Sequence, residues 1–174
     1  KATLTDVGVK ATVSLIDPAD NVTVATGLTG ANGGFVINID GGFQAQANQV
    51  YILEASKRIG GPGNFGMAVR TILQWDGNAW ISITTPDILI NTKTTALSIM
   101  ASTNPDIAPA DMIGKLVRQG GVSILTEFGP VTNQKMNEVV SLIGTVLERN
   151  LDPVALINFS GREYNITIPD KIIQ

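Results

Sequence analysis

The stretch 17–35, DPADNVTVATGLTGANGGF, constrains this chain more than any other, because it sets a turn, a strand, a second turn and a second strand in succession. Val13 and Leu15 stand before the first turn, Val22 and Val24 after it, and Phe35, Ile37 and Ile39 after the second. Apolar residues that alternate in this way bury one face of a strand, and glycine-rich reversals between such runs make a β-meander. Runs of the same character recur at 7–16, 50–55, 67–74 and 80–84, so residues 1–90 read as six strands. The clearest hairpin joins 71–75 to 79–83 through Asp76-Gly77-Asn78, where glycine can take a positive φ at little cost.

The order of an Asp-Asn turn, a Val-x-Val-Ala-Thr strand, a Thr-x-x-Asn-Gly-Gly-Phe turn and a strand, closing on the run 50–55, resembles the start of transthyretin-like β-sandwich modules. These include the carboxypeptidase regulatory-like domains and the B-type repeats of bacterial surface proteins. The resemblance covers roughly the first third of the chain. It implies an antiparallel transthyretin-like or immunoglobulin-like sandwich and a place on the cell exterior, and it says little about activity. B-type domains often carry an internal isopeptide bond, for which the resemblance offers Lys10, Glu54 and Asn158 or Asn165. Lys10 alternates out of phase with Val9, Ala11, Val13 and Leu15, so a regular strand turns it away from that apolar set and into solvent.

The period changes after residue 90. Residues 91–101 offer an Asn or Thr cap and apolar residues at helical spacing, and Asn104-Pro105 then ends the helix. A second short helix is expected over 109–117, with Pro109 in its first turn. Between 133 and 150, Met136, Val139, Val140, Ile143, Val146 and Leu147 form an amphipathic stripe after an Asn133 cap, the mark of a helix that packs on its own domain. Asp152-Pro153 stops it, and 154–159 and 164–168 read as two closing strands around Ser160-Gly161-Arg162. The expected architecture is therefore mainly β with a helical insertion (α+β). Residues 1–174 make one domain, with 1–90 and 154–174 in the sandwich and 91–153 mostly helical.

Composition narrows the chemistry. The chain has no cysteine and no histidine, which removes disulfides, thiolate or imidazole metal sites, cysteine nucleophiles and Ser-His-Asp triads. A net charge of −3 with scattered Lys and Arg gives no basic stripe for nucleic acid. No apolar run approaches the roughly 18 residues that a spanning helix needs. The start at Lys1, without an initiator methionine, suits a matured exported protein.

Several local patterns have simpler readings beside the functional ones. Gly61-Pro62-Gly63-Asn64-Phe65-Gly66 matches G-x-G-x-x-G, but it contains proline and is followed by a strand, so it reads as a loop and not a phosphate cradle. Asp17, Asp20, Asp40 and Asp76 lie in turns without the spacing of a calcium loop. Asn21, Asn158 and Asn165 begin N-x-S/T triplets, which matter only in an exported protein whose host glycosylates. Trp75 and Trp80 flank the hairpin turn as a candidate sugar-stacking platform, or simply as core. Glu54, Asp87 and Glu127 are carboxylates that no spacing pairs into a catalytic site.

These features point to a non-catalytic structural subunit of an extracellular assembly, a pilus-like filament or a surface layer, with copies of itself as partner. No catalytic, cofactor or metal residues are assigned. The segment carrying Ala2, Leu4 and Val7 lacks a nearby hairpin partner and precedes Gly8, so it is the expected donor strand to a neighbouring copy. The alternative is an accessory module that binds carbohydrate or another ligand through Trp75 and Trp80 or through the glycine loop 60–66.

Overall fold

The computed structural model describes residues 2–4, 11–18, 22–30, 34–37, 43–58, 66–83, 87–103, 133–149, 151–160 and 163–167. The strands are β1 (Ala2–Leu4), β2 (Thr12–Asp17), β3 (Val22–Leu28), β4 (Val50–Arg58), β5 (Gly66–Trp75), β6 (Trp80–Ser82) and β7 (Ile88–Ile90). Helices α1 (Thr92–Thr103) and α2 (Asn133–Glu148) follow, then a short α3 (Pro153–Leu156) and the hairpin strands β8 (Ile157–Ser160) and β9 (Glu163–Ile166). Five strands form an antiparallel sheet in the order β3-β2-β4-β5-β6, while β1 pairs in parallel with β7 and β8 pairs with β9. The protein is thus mainly β with a few helices, as the alternation predicts. The expected helix at 109–117 lies outside the described residues.

Directly paired residues share a face, and the register Val13↔Ala55↔Val69 and Leu15↔Leu53 lines up one apolar side of the sheet. That side, with Tyr51 and Leu73, is sealed by Phe35, Ile37, Phe43 and Ala45 and by Ile88 and Ile90 of β7. The opposite side carries Val50 and Ile72, which join Leu97 and Met100 of α1 and Met136, Val139, Ile143 and Val146 of α2 in a second cluster. Strands β4 and β5 are covered on both sides, so Val50-Tyr51-Ile52-Leu53 is a continuous buried run and not an alternating one.

Of the residues expected in the core, Val13, Leu15, Ile52 and Leu73 are buried, and Val24, Phe35 and Ile37 pack against the core while partly exposed. A bulge explains Val24. Leu15 pairs with Ala25 and Ile16 with Thr23, leaving Val24 as the extra residue of β3. The strand expected at 35–39 is reduced, among the described residues, to one antiparallel bridge, Thr29↔Phe35. The segment packs closely on β3 at Gly27, where a Cβ would lie 2.6 Å from the Val36 carbonyl oxygen. Gly27→Ala is therefore expected to lower stability by about 1–3 kcal/mol through overpacking against backbone, readable as an earlier urea midpoint.

Helix α1 begins where expected and runs two residues further than the sequence indicates, to Thr103. Asn91 Oδ1 accepts from the Thr94 amide and Thr94 Oγ1 accepts from the Asn91 amide, both at 2.9 Å, a reciprocal cap. Every residue from Thr94 to Ala101 is buried, so the helix has no solvent face to betray a period. Its hydroxyls survive burial by donating back one turn, Thr95 to the Asn91 carbonyl and Ser98 to the Thr94 carbonyl. Helix α2 buries its stripe on its own molecule, as its spacing predicts.

Two sequence expectations for the C-terminal part are corrected. Residues 154–156 are not strand, because Asp152 caps the Val154 amide and Pro153 starts a helical turn, so β8 begins only at Ile157. The β8–β9 hairpin forms as expected but does not extend the main sheet. Ile157 and Tyr164 are buried in the helical cluster, with Phe159 and Ile166 against it, which makes the hairpin a lid on α1 and α2.

Candidate functional site

Three places bring chemistry-bearing side chains together. The first is the aromatic end of the sheet. Trp75 and Trp80 are direct cross-strand partners. Between them, Gly77 has φ 101°, as the turn requires, and Asp76 Oδ1 accepts the Asn78 and Ala79 amides at 2.7 and 2.6 Å. Those amides hold the Asp76 carboxyl below its usual pKa of 3.8. Tyr51 meets Phe43 edge-on at 5.6 Å and Trp80 at 5.4 Å, while Trp75 and Trp80 are tilted by 59°. Both indoles are half-buried against the core. At that tilt they do not present one flat surface to a sugar ring.

The second place is a charged group on the helix-facing side of the sheet. Glu54 of β4 and Arg70 of β5 are register partners, and Arg70 Nε donates to Glu54 Oε2 at 2.5 Å with each side chain 20% exposed. The Arg70 backbone is used as well: its amide donates to Thr95 Oγ1 at 3.0 Å and its carbonyl accepts from Thr94 Oγ1 at 2.8 Å. Strand β6 pairs only with residues 73–75 of β5, so beyond it the two threonines supply the hydrogen bonds that a further strand would otherwise make. Asp152, at the start of α3, feels both Glu54 and Arg70. Sequence reading singled out Glu54 but not Arg70, Asp152, Thr94 or Thr95. Cross-strand register is not written locally, and Asp152-Pro153 carries a cap signal as well as a stop signal.

The third place is the strand termini and edges. Ala2, Thr3 and Leu4 pair with Ile88, Leu89 and Ile90 of the same chain, so the segment expected to lack a partner has one far along the sequence. A search confined to nearby hairpins misses it. Val7 lies outside the described residues. Among those described, the large apolar side chains left exposed are Val22 and Leu28, at the two ends of edge strand β3, and Val36, whose carbonyl lies close to Gly27 of that strand.

The remaining candidates are not brought together. Lys10, Glu127, Asp20, Asp40 and Asn21 lie outside the described residues, Asp87 is exposed, and Asp17 accepts from Gln49 Nε2 at 3.3 Å. Glu54 faces arginine and not lysine. Asn158 and Asn165 are direct partners, and each amide serves the other triplet's hydroxyl: Asn158 Nδ2 donates to Thr167 Oγ1 at 2.7 Å and Asn165 Nδ2 to Ser160 Oγ at 3.2 Å. The two N-x-S/T patterns thus coincide with a polar ladder on the outer face of the hairpin. Of the glycine-rich motif only Gly66 is described, and it opens β5 and not a helix.

No group of three or more acidic, histidine or cysteine side chains able to hold a metal occurs among the described residues. No helix there is long and apolar enough to cross a membrane. Comparisons with protein-family models, curated proteins and solved structures return no match to this chain.

Proposed function

We propose that this protein is a structural subunit of an extracellular assembly, a filament or surface layer, whose copies are joined by exchange of β1. The observation that carries this reading is the pairing of Ala2–Leu4 with Ile88–Ile90, a three-residue parallel contact between segments far apart in sequence. A strand held that way can leave its own β7 and make the same main-chain bonds to the β7 of a second copy, which costs little because equivalent contacts are re-formed. The transthyretin-like sandwich belongs to the same proposal. Its support is the antiparallel five-stranded sheet whose apolar side is faced by Ile88 and Ile90 of the β1–β7 pair.

Deleting residues 1–6 tests the reading. The parent is expected to form filaments or sheets visible by electron microscopy, and the shortened chain to remain a folded monomer by circular dichroism and to form none. Normal assembly of the shortened chain would refute it. The partial exposure of Trp75 and Trp80 keeps a second reading, carbohydrate binding, which predicts a shift in tryptophan emission on adding soluble polysaccharide.

A further inference from the structure

The register lays one row of polar side chains across the sheet. Thr26 of β3 pairs with Ser14 of β2, Ser14 with Glu54 of β4, and Glu54 with Arg70 of β5. Directly paired residues share a face, so all four stand on the helix-facing side, beside a second row of Leu28, Thr12 and Ser56. Helix α1 lies along this side at β5, where Thr94 and Thr95 bond the Arg70 backbone. Farther out the face is open: Thr12, Thr26 and Leu28 are exposed, and Ser14, Glu54 and Ser56 are half-buried. The result is a polar shelf with a helix as its back wall.

Two properties set the shelf apart from an ordinary wetted sheet face. Among the described residues, the hydroxyls of Thr12, Ser14, Thr26 and Ser56 have no hydrogen-bond partner within the fold, whereas Thr94, Thr95 and Ser98 all donate to backbone carbonyls. The charged pair at the inner end is also held in place. Arg70 Nε donates to Glu54 Oε2 at 2.5 Å with each side chain only 20% exposed. Among the described residues nothing else bonds the terminal guanidinium nitrogens or Glu54 Oε1. Withdrawing both charges from water is costly, and the pair keeps donors and an acceptor that the fold does not use.

We propose that this shelf binds a neutral carbohydrate chain, one sugar anchored at the Glu54–Arg70 pair and the rest extended over Ser14 and Thr26 toward the edge of β3. Neighbouring sugar hydroxyls donate to a carboxylate and accept from a guanidinium, and here the two groups stand side by side. The charges of the pair cancel, so the shelf has no positive field to draw an acidic polymer or a nucleic acid. A peptide would need an apolar pocket or a strand edge, and this surface is a sheet face of hydroxyls. Leu28, 67% exposed at the rim, offers contact to the apolar face of a sugar ring. The shelf is separate from the indole pair, since Trp75 and Trp80 pack with Tyr51 and Leu73 against the opposite side of the sheet. It does not depend on exchange of β1.

Affinity electrophoresis in gels containing dextran, mannan or arabinoxylan tests it, with alginate as the acidic counterpart. At least one neutral polymer should retard the protein, alginate should not, and tryptophan emission should stay unchanged on binding. Glu54→Gln removes the carboxylate charge at constant shape and should weaken the retardation about ten-fold or more, the loss of a hydrogen bond to a charged group. Thr26→Lys, at an exposed position on the edge strand, should weaken it as strongly by filling the outer shelf, and it decides the matter should Glu54→Gln fail to fold. No retardation by any of the three neutral polymers, or retardation by alginate alone, would overturn the proposal. So would a Thr26→Lys variant retarded like the parent, and an accompanying shift in tryptophan emission would then place the sugar at Trp75 and Trp80.

Discussion

Val139→Asp is expected to abolish cooperative folding or to lower stability by about 3–5 kcal/mol, because it places an unpaired carboxylate in the middle of the helical cluster. Val139 is 0% exposed and shares its cluster with Leu97, Met100, Ile143 and Ile157, all apolar, while Lys135, one turn back on α2, is half-buried and already paired with Glu138, so the new charge is buried among apolar side chains. The neighbouring Val140 is only partly buried, which makes Val140→Asp the milder change and a useful control for helix propensity alone. Urea denaturation of both variants would show the difference. If Val139→Asp melted like the parent, α2 would have to present that stripe to a partner and not to its own sheet.

Tyr51→Ala is the second large effect, at about 3–5 kcal/mol, the usual range for removing a buried aromatic ring. Tyr51 is 1% exposed and links Phe43 to Trp80 edge-on, so its loss opens a cavity beneath the Trp75–Trp80 pair. Tyrosine fluorescence is not the readout of choice here. The indole emission of Trp80 should move to the red as water enters. Tyr51→Phe keeps both ring contacts and loses only the bond from the Gln46 amide, 3.3 Å long, so it should cost about 1 kcal/mol or less. Equal losses for the two variants would mean that the hydroxyl, not the ring, holds this end of the sheet.

What the sequence displays depends on how many sides of an element are covered. Strand β2 alternates because Thr12, Ser14 and Ile16, which flank Val13 and Leu15 along the strand and face the other way, are less buried, and it can be read directly. Strands β4 and β5 are legible as strands, but their continuous apolar runs conceal that helices lie on the far side. The stripe of α2 is evident at helical spacing, whereas the all-round burial of α1 leaves its apolar spacing without a contrasting polar face, so its cap and the following Asn-Pro set its bounds. The short α3 is hidden because Asp152-Pro153 stops one helix and starts another turn. The charged group is hidden for a different reason. Glu54 and Arg70 meet only through the register of β4 with β5, and Asp152 reaches them only after α2 has turned the chain back.

The same reasoning governs β1. Its three residues have no local partner, and a reading confined to neighbouring hairpins sends them to another molecule, whereas the parallel contact with β7 shows that the chain itself has an acceptor for them. An intramolecular contact and an exchanged one use the same bonds. Which of them prevails depends on protein concentration and on the connection between β1 and β2.

The absence of cysteine makes that choice directly measurable. Ala2 and Ile88 are register partners, so Ala2→Cys and Ile88→Cys can be prepared as separate chains, mixed at high concentration and oxidised. Exchange of β1 predicts a disulfide-linked pair whose peptide map joins position 2 of one copy to position 88 of the other, with the double variant giving a ladder of linked chains. Mixed single variants that stay unlinked, together with a double variant that closes only upon itself as a monomer, would contradict strand exchange and with it the proposed mode of assembly.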